Sequence, residues 1–481
     1  MSLSLAVSAA LSGLTLSARG TQIVADNIAN AQTEAYGVRS LTQAARVHGG
    51  TGSGVAMTGV TRHMDQLLLG DLRQARSQAK GDALLGAFWQ KLETGLGLPG
   101  DDGSLGASIT RLGTALQRAS LQPDQPAVLQ QGIQAAGDIA AKIRGMHDLL
   151  GAERDRADAG LAQEVEWVNA ALKDIAELNR KIQRQTLLGG APEGLMDMRQ
   201  ALVDKLSERL PVQEFMRDDG RIMLMARDGS ILVDRDAAQF SFSRSPAPGA
   251  GDRVENGALS PVMLNGREIA ANSVIFSAGT LGAFLKLRDE VAPTVQRDLD
   301  LLAADLIARF SGPEIDPSLD AGAFGLFSLA GRATVPAALD GIAGLMAINP
   351  ALDPSQGGAA WRLRAGLAAP DPGDVLDNSV LDRLARALDL PTPSGAALSP
   401  MRSAQGHATD LLSVISTHRL GLDQRNSFNA ARVGMLSETL AAQGVDTDAE
   451  LGKLLVLEQA YSANARVLST VDAMLRTILE I

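Results

Sequence analysis

The sequence contains no cysteine. Disulfides, thiolate metal sites and cysteine nucleophiles are thereby excluded, while the redox compartment stays open. Aromatic residues make up only 3% of the 481 positions. Large apolar side chains are therefore scarce, and burial must come from helices packing on Leu, Ile, Val and Ala. Proline is missing from both flanks, since every one falls between Pro99 and Pro400. No stretch approaches the roughly 18–20 uninterrupted apolar residues of a membrane helix, so no membrane insertion is expected. Basic charge is also in deficit: 44 Lys and Arg against 55 Asp and Glu leave a net charge of −11. That disfavours nucleic acid as a partner. Arg73, Arg76 and Lys80 do share one helical face, and a solvated face accounts for them.

Catalytic patterns are equally sparse. The five histidines, His48, His63, His147, His407 and His418, form no His-Glu-x-x-His and have no second ligand at helical spacing. His147 reads as a surface or boundary residue of an amphipathic helix. The carboxylate pairs Glu164/Glu166 and Asp155/Asp158 fall on a charged helix face, where solvation or i,i+3 pairing is the default. There is no Gly-x-Ser-x-Gly elbow and no phosphate-binding Gly-Lys-Ser/Thr after the glycines at 49–54. No catalytic residue, metal site or cofactor is expected.

The two ends of the chain hold the informative pattern. Leu3, Val7, Ala10, Leu14, Ser17, Thr21, Val24 and Ile28 follow one another at alternating steps of four and three. Leu454, Leu457, Tyr461, Asn464, Leu468, Val471, Leu475 and Ile478 do the same. This is the seam of a helix that packs on other helices, and each run is about 40 Å long at 1.5 Å per residue. Ser17, Thr21, Asn179 and Asn464 are polar seam positions, which either fix register or mark places where the seam is partly solvated. The two tyrosines, Tyr36 and Tyr461, both lie in these terminal segments, where a ring with a polar tip suits an interface or a core.

Between the ends the texture changes several times. The first helix should stop between Asn27 and Gly37, and His48 to Val55 reads as a glycine-rich link before a short alternating segment, Val55, Met57 and Val60. Helix is predicted over about 65–185, broken near 95–106 and 123–126, with a seam through Leu161, Val165, Val168, Leu172, Ile175, Asn179 and Ile182. A further helix covers 195–210, ended by Pro211. Short strands with Asp-Gly and Asn-Gly turns follow over about 70 residues, including an apolar run at 274–276. Helix returns over 280–310, a loop-rich stretch occupies 312–372, and 404–481 is helical with a break at 443–448.

These residues carry a family resemblance. Asp26-Asn27-Ile28-Ala29-Asn30-Ala31-Gln32-Thr33 followed by Tyr36 resembles the N-terminal signature of bacterial flagellar axial proteins. Gln459 through Leu475, with Tyr461-Ser462-Ala463-Asn464 at its centre, resembles their C-terminal signature. Inside the chain, 168–182, Leu195-Met196-Asp197-Met198-Arg199-Gln200, Asp228-Gly229-Ser230 and Gly279 to Asp289 are similar to the hook-associated branch of that family. Hook and rod members would turn to strands soon after the first helix, and here a long helical region is expected instead. Glu34-Ala35-Tyr36 replaces the usual Pro-Gly-Tyr, and 444–450 is an imperfect version of the usual acidic stretch.

The resemblance implies a mainly α fold with a small β-rich module, a discontinuous multi-domain axial subunit whose terminal helices pair as a coiled coil below a helical body. The expected domains are a terminal helical domain from 1–40 and 441–481; a helical body from 41–210, 280–310 and 401–440; a β-rich module at 211–279; and a loop-rich insert at 311–400. The family motif residues are Asn27, Asn30 and Tyr36. The implied role is structural, at the junction between flagellar hook and filament, with no enzyme activity. Implied partners are copies of the chain, the hook subunit, the next hook-associated protein, and a cytosolic export chaperone on the C-terminal segment. Export is expected without a cleaved signal: the first 18 residues are uncharged, but no Lys or Arg precedes their apolar part and Ser2, Ser4, Ser8 and Ser12 break it up. Read without the resemblance, the seams fit equally a self-contained coiled-coil binding module, such as a phage tail or surface protein.

Overall fold

A computed structural model describes residues 3–48, 51–393 and 401–479. Along the chain the elements are α1 (Leu3–Ala29), β1 (Val38–His48), β2 (Thr51–His63), α2 (Gln66–Leu96), α3 (Leu105–Leu121), α4 (Pro126–Leu187) and α5 (Glu193–Ser207). Then come β3 (Val212–Met216), β4 (Ile222–Ala226), β5 (Ile231–Val233), β6 (Phe240–Ser241), β7 (Val262–Leu264) and β8 (Arg267–Ile269). The remainder is α6 (Gly279–Lys286), α7 (Ala292–Arg309), β9 (Phe327–Leu329), β10 (Met346–Ile348), α8 (Arg362–Ala365), α9 (Ser379–Ala387), α10 (Ala404–Ala442) and α11 (Thr447–Leu479). Among the described residues no helix is long and apolar enough to cross a membrane.

Two compact units share these elements. One holds Met1–Gln78, Trp167–Gln239 and Phe428–Ile481; the other holds Ala79–Glu166 and Phe240–Ser427. The boundaries at 78/79, 166/167 and 427/428 fall inside α2, α4 and α10. The fold is mainly α with small antiparallel sheets, and its strands depart from the sequence reading in three ways.

The first departure is β1–β2. The chain does turn to strands directly after its first helix, forming an antiparallel hairpin from Val38↔His63 to His48↔Thr51. Within the stretch expected as a flexible link, His48 ends β1 and 51–55 begin β2, while Gly49 and Gly50 lie outside the described residues. Small residues hide the alternation from a hydrophobicity count. Irregularities at Thr42/Gln43 and Ala45/Val47 break its period as well. The second departure concerns 211–279. Its strands form two separate three-stranded sheets, β3–β4–β5 in the first unit and β6–β7–β8 in the second, rather than one module. The third is Val274–Phe276, a 3-10 turn capped by Ser273 instead of a strand.

The core of the second unit is one apolar cluster. Phe88, Leu92, Leu112, Leu116, Ile139 and Ile143 from α2, α3 and α4 join Leu302, Leu306 and Phe310 from α7 and its end. Phe327, Ile342, Met346, Leu352, Leu363 and Leu381 belong to the same cluster. The loop-rich stretch is thus part of this core and not an appendage to it. Arg309 clamps its end, donating to the carbonyls of Ala387 (3.1 Å) and Arg402 (2.8 Å).

Charges on two predicted solvated faces turn out to be buried. Asp158 on α4 and Arg288 are both fully inaccessible and pair at 2.9 Å. Arg288 sits in a π-helical turn, Leu287–Val291, that interrupts the expected helix between α6 and α7. It also binds Asp289 (2.6 Å) and the Ser260 carbonyl (3.1 Å). Asp155 accepts from the Ala247 amide (2.9 Å) and Arg244 (3.0 Å). Beside them Arg154 donates to the Arg288 carbonyl at 2.9 Å, and burial pulls its guanidinium down to about 10. His147 is a boundary residue as expected, bonded to Gln296 at 3.1 Å.

In the first unit, Arg73 likewise leaves solvent to pair with Asp204 and Glu214, both at 2.6 Å, and Arg76 pairs with Glu34 at 2.5 Å. Asn179 is buried, but its role is to hold an edge of backbone. It donates to the Ile222 carbonyl (2.8 Å) and accepts from the Ile222 amide (3.1 Å) and Arg199 (2.8 Å).

Breaking one partner of a buried ion pair leaves an uncompensated charge, which costs about 3–5 kcal/mol. Asp158→Ala is therefore expected to lower the urea midpoint of the second unit markedly, whereas Glu314→Ala at an exposed position leaves it unchanged. Equal midpoints for the two variants would refute the assignment.

Candidate functional site: the terminal helix pair

Two helices separated by the whole length of the chain lie against each other in antiparallel register. A Cβ placed on Gly13 would fall 2.6 Å from the Asn464 side chain, and one on Gly20 would fall 2.9 Å from Leu457. Asn27 bonds Glu450. Each step of seven up α1 (13, 20, 27) is matched by a step of seven down α11 (464, 457, 450).

The buried face of α1 comprises Ala10, Ser17, Gly20, Ile23, Val24 and Asn27. From the predicted seam it retains Ala10, Ser17 and Val24, while Leu3, Val7, Leu14, Thr21 and Ile28 are half-buried. One of the two rows is displaced by a residue, onto Gly13, Gly20 and Asn27. Glycine adds nothing to a hydrophobic count, yet it is the residue that lets another helix approach most closely. On α11, Val471 is buried and Leu454, Leu457, Asn464 and Leu468 are half-buried. Tyr461, Leu475 and Ile478 are exposed, at 50%, 41% and 58%. Asn464 spends its amide on the Ala460 carbonyl of its own helix (2.8 Å) and packs over Gly13.

At the end of the pair, Asn27 is fully buried and uses its whole carboxamide. Its Oδ1 accepts from the Tyr36 hydroxyl (2.8 Å) and the Arg39 amide (3.0 Å). Its Nδ2 donates to the Arg39 carbonyl (2.9 Å) and to Glu450 Oε2 (3.0 Å). The other Glu450 oxygen takes Lys453 at 2.6 Å. The Arg39 guanidinium lies 4.7 Å from the Tyr36 ring centre. Asn30 shapes the turn leading there: it donates to the Asp26 carbonyl (2.9 Å) and accepts from the Thr33 hydroxyl (3.3 Å). The motif tyrosine is thus internal structure, and the exposed Tyr461 is the tyrosine available to a neighbour.

The hairpin also packs on α1. Gly54, at φ +109°, has room for no side chain, since a Cβ would strike Ser12 Oγ and come within 3.0 Å of the Ala9 Cα. The neighbouring Val55 amide donates to Ser12 Oγ at 3.1 Å.

A second row on α11 is largely uncovered by the described residues. Val456, Ala460, Ala463, Val467, Thr470 and Met474 repeat the 4–3 spacing, and the large ones are 64%, 43% and 51% exposed. Sequence inspection passes over this row because Ala and Thr dilute it. Among the described residues no group of three or more His, Asp or Glu is placed to hold a metal ion.

Residues 90–312 match the family model described as the flagellar hook-associated protein FlgK helical domain. Residues 436–481 match the flagellar basal body rod FlgEFG protein C-terminal model. The chain is similar to flagellar hook-associated protein 1 of Salmonella typhimurium, 26% identical over 310 residues. That alignment covers 63% of this chain and 55% of the relative, so the chain spans about half the length of that protein. It is also similar to flagellar hook-associated protein 1 of Bacillus subtilis, 23% identical over 493 aligned positions, covering 95% and 94% of the two chains. A solved structure of the flagellar hook junction protein FlgK from Burkholderia pseudomallei overlaps 54% of this chain and 47% of its own, at 20% identity and a TM-score of 0.45.

Two outcomes follow from the geometry of the pair. Replacing a helical glycine gains up to about 1 kcal/mol of propensity, but overpacking a tight contact costs about 1–3 kcal/mol. Gly13→Val, with its β-branched side chain driven into Asn464, is expected to weaken the pair and speed hydrogen exchange in both helices. Slower exchange would show that propensity wins. Burial pushes the Tyr36 phenol up from 10.0 to about 12. The folded state then holds the proton more tightly than the unfolded chain, so this stabilisation is complete below pH 10 and is lost as pH rises towards 12. A tyrosinate absorbance titration should show a step near pH 12 that Tyr36→Phe removes.

Proposed function

We infer the function from one premise: the chain belongs to the flagellar hook-associated protein 1 family. On that premise it is a structural, non-catalytic subunit of the bacterial flagellum that forms the junction between hook and filament. The observation that carries this reading beyond the resemblance is the terminal pair with its uncovered row. One face of α11 is closed by α1, and the row through Val456, Val467 and Met474 is left for further helices. A self-contained coiled-coil module would close such a row internally. Further copies of the chain, the hook subunit and the next hook-associated protein are the partners that fit an axial position.

The mechanism couples ordering to assembly. Isolated helices draw most of their stability from packing, and an apolar row gains that packing when a neighbour covers it. The terminal helices are therefore expected to be least ordered before assembly and most ordered within the junction. Export of the subunit through the flagellar type III route without a cleaved signal, with a cytosolic chaperone on the C-terminal segment, fits the same picture. The chaperone would shield the uncovered row until export.

The reading is tested in cells. Deleting 447–479, or replacing Val467 and Met474 with Asp in the full chain, should leave the protein secreted while filaments are shed, as seen by electron microscopy. Filaments that stay attached in both cases would refute the role of the terminal pair in assembly.

A further inference from the structure

The sequence motif around Asp197 is not accounted for by the helix pair. Asp197 lies on α5, and its hydrogen bonds fall on the base of the hairpin rather than on α1 or α11. Its Oδ1 accepts from the Gly37 amide (3.2 Å) and Arg62 Nε (2.8 Å), and its Oδ2 accepts from an Arg39 terminal nitrogen (2.6 Å). Gln200, one turn on, takes the other end of the Arg62 fork at 2.5 Å. Gly37 is needed for this arrangement, because a Cβ there would fall 2.5 Å from Arg62 Nε.

Arg39 is the residue that faces both ways. Its guanidinium binds Asp197, while its backbone amide and carbonyl are both taken by Asn27, whose amide group holds Glu450. An unbroken line of hydrogen bonds of 2.6–3.0 Å therefore runs Asp197, Arg39, Asn27, Glu450. Every side chain in it is at least four-fifths buried. Without the Asp197 carboxylate, two largely buried guanidinium groups lose a shared anion. The Arg39 peptide, placed by its ladder pairing with Arg62 and with Asp26 4.0 Å from its guanidinium, then loses the close side-chain anchor that steadies it against Asn27.

We propose that Asp197 is a positioning residue for the assembly interface: by fixing Arg39 it sets the alignment of α1 against α11. The proposal rests on the assembly reading above. A physical line of contacts is not by itself coupling, so the test is a double-mutant cycle. Asp197→Asn, Glu450→Gln and the double variant are made in the full chain, with Asp228→Asn on an exposed turn as control. Two readouts are taken: the fraction of filaments retained after fixed shear, and the rate of tryptic cleavage at Arg19 and Arg466, which lie in the two helices.

Losing a hydrogen bond to a charged group corresponds to about tenfold in an equilibrium. Each single variant should therefore be cleaved about tenfold faster at both sites and shed more filaments, with the double variant no worse than the poorer single. If Glu450→Gln is impaired and Asp197→Asn behaves as wild type, or if the two effects multiply, the positioning role is overturned while the assembly reading stands. If both variants are cleaved faster yet retain filaments normally, it is the assembly reading that fails; if neither is cleaved faster, the positioning role is overturned. Should Asp197→Asn not accumulate, Arg39→Lys carries the same cycle, because it keeps the charge and the backbone contacts to Asn27 but lacks the fork that reaches Asp197.

Discussion

The carboxamide of Asn27 is where the end of α1, the base of the hairpin and the start of α11 become one structure. A side-chain amide offers two acceptor sites and two donors, and here all four are used: by Tyr36, by both sides of the Arg39 peptide, and by Glu450. In a buried site an unmade hydrogen bond costs about 1–3 kcal/mol, so the arrangement is close to all-or-none. Neither aspartate nor leucine could replace it. The first would set a carboxylate against Glu450, and the second would leave four polar partners unmatched. The helix pair beyond it depends on this end being fixed, because the face of α1 is mostly small residues that pack closely but bury little apolar area.

Scarcity of aromatics shapes the rest of the molecule. With few large rings available, the core of the second unit is built largely from Leu, Ile and Phe drawn from α2, α3, α4, α7, α9 and α10 and the loop-rich stretch together. Buried ion pairs then fix the alignment of elements that apolar packing alone would leave adjustable: Asp158 with Arg288, and Arg73 with Asp204 and Glu214. Such pairs add little net stability over apolar packing but are costly to break.

The helices were legible because periodicity, caps and proline breaks are local. Ser104 caps α3, donor and acceptor only three residues apart, and the chain bends where Pro123 and Pro126 interrupt it. The hairpin was not legible, because its alternation is carried by Ala, Gly, Ser and Thr. Nor was the charged core. Nothing near Asp158 in the sequence announces Arg288, 130 residues on, and the default reading of a carboxylate on a polar helix face is solvation. The same limit applies to Arg73, whose two acids lie on α5 and β3, and to Asp197, whose partners lie at the base of the hairpin.

The sequence by itself determined that both ends are helices built to pack, that the middle alternates helix with short strands, and that the terminal motifs resemble those of flagellar axial proteins. Those properties rest on spacing and on motifs a few residues long. Only the tertiary structure decided which face of α1 meets α11, since the contact runs along glycines that carry no hydrophobic signal. It alone revealed Asn27, Arg39, Asp197 and Glu450 as one connected line, because hydrogen bonds between residues hundreds of positions apart depend on how the chain folds back and leave no trace in local pattern. Among the described residues it also left the second row of α11 largely open, which spacing alone could not tell from a covered one.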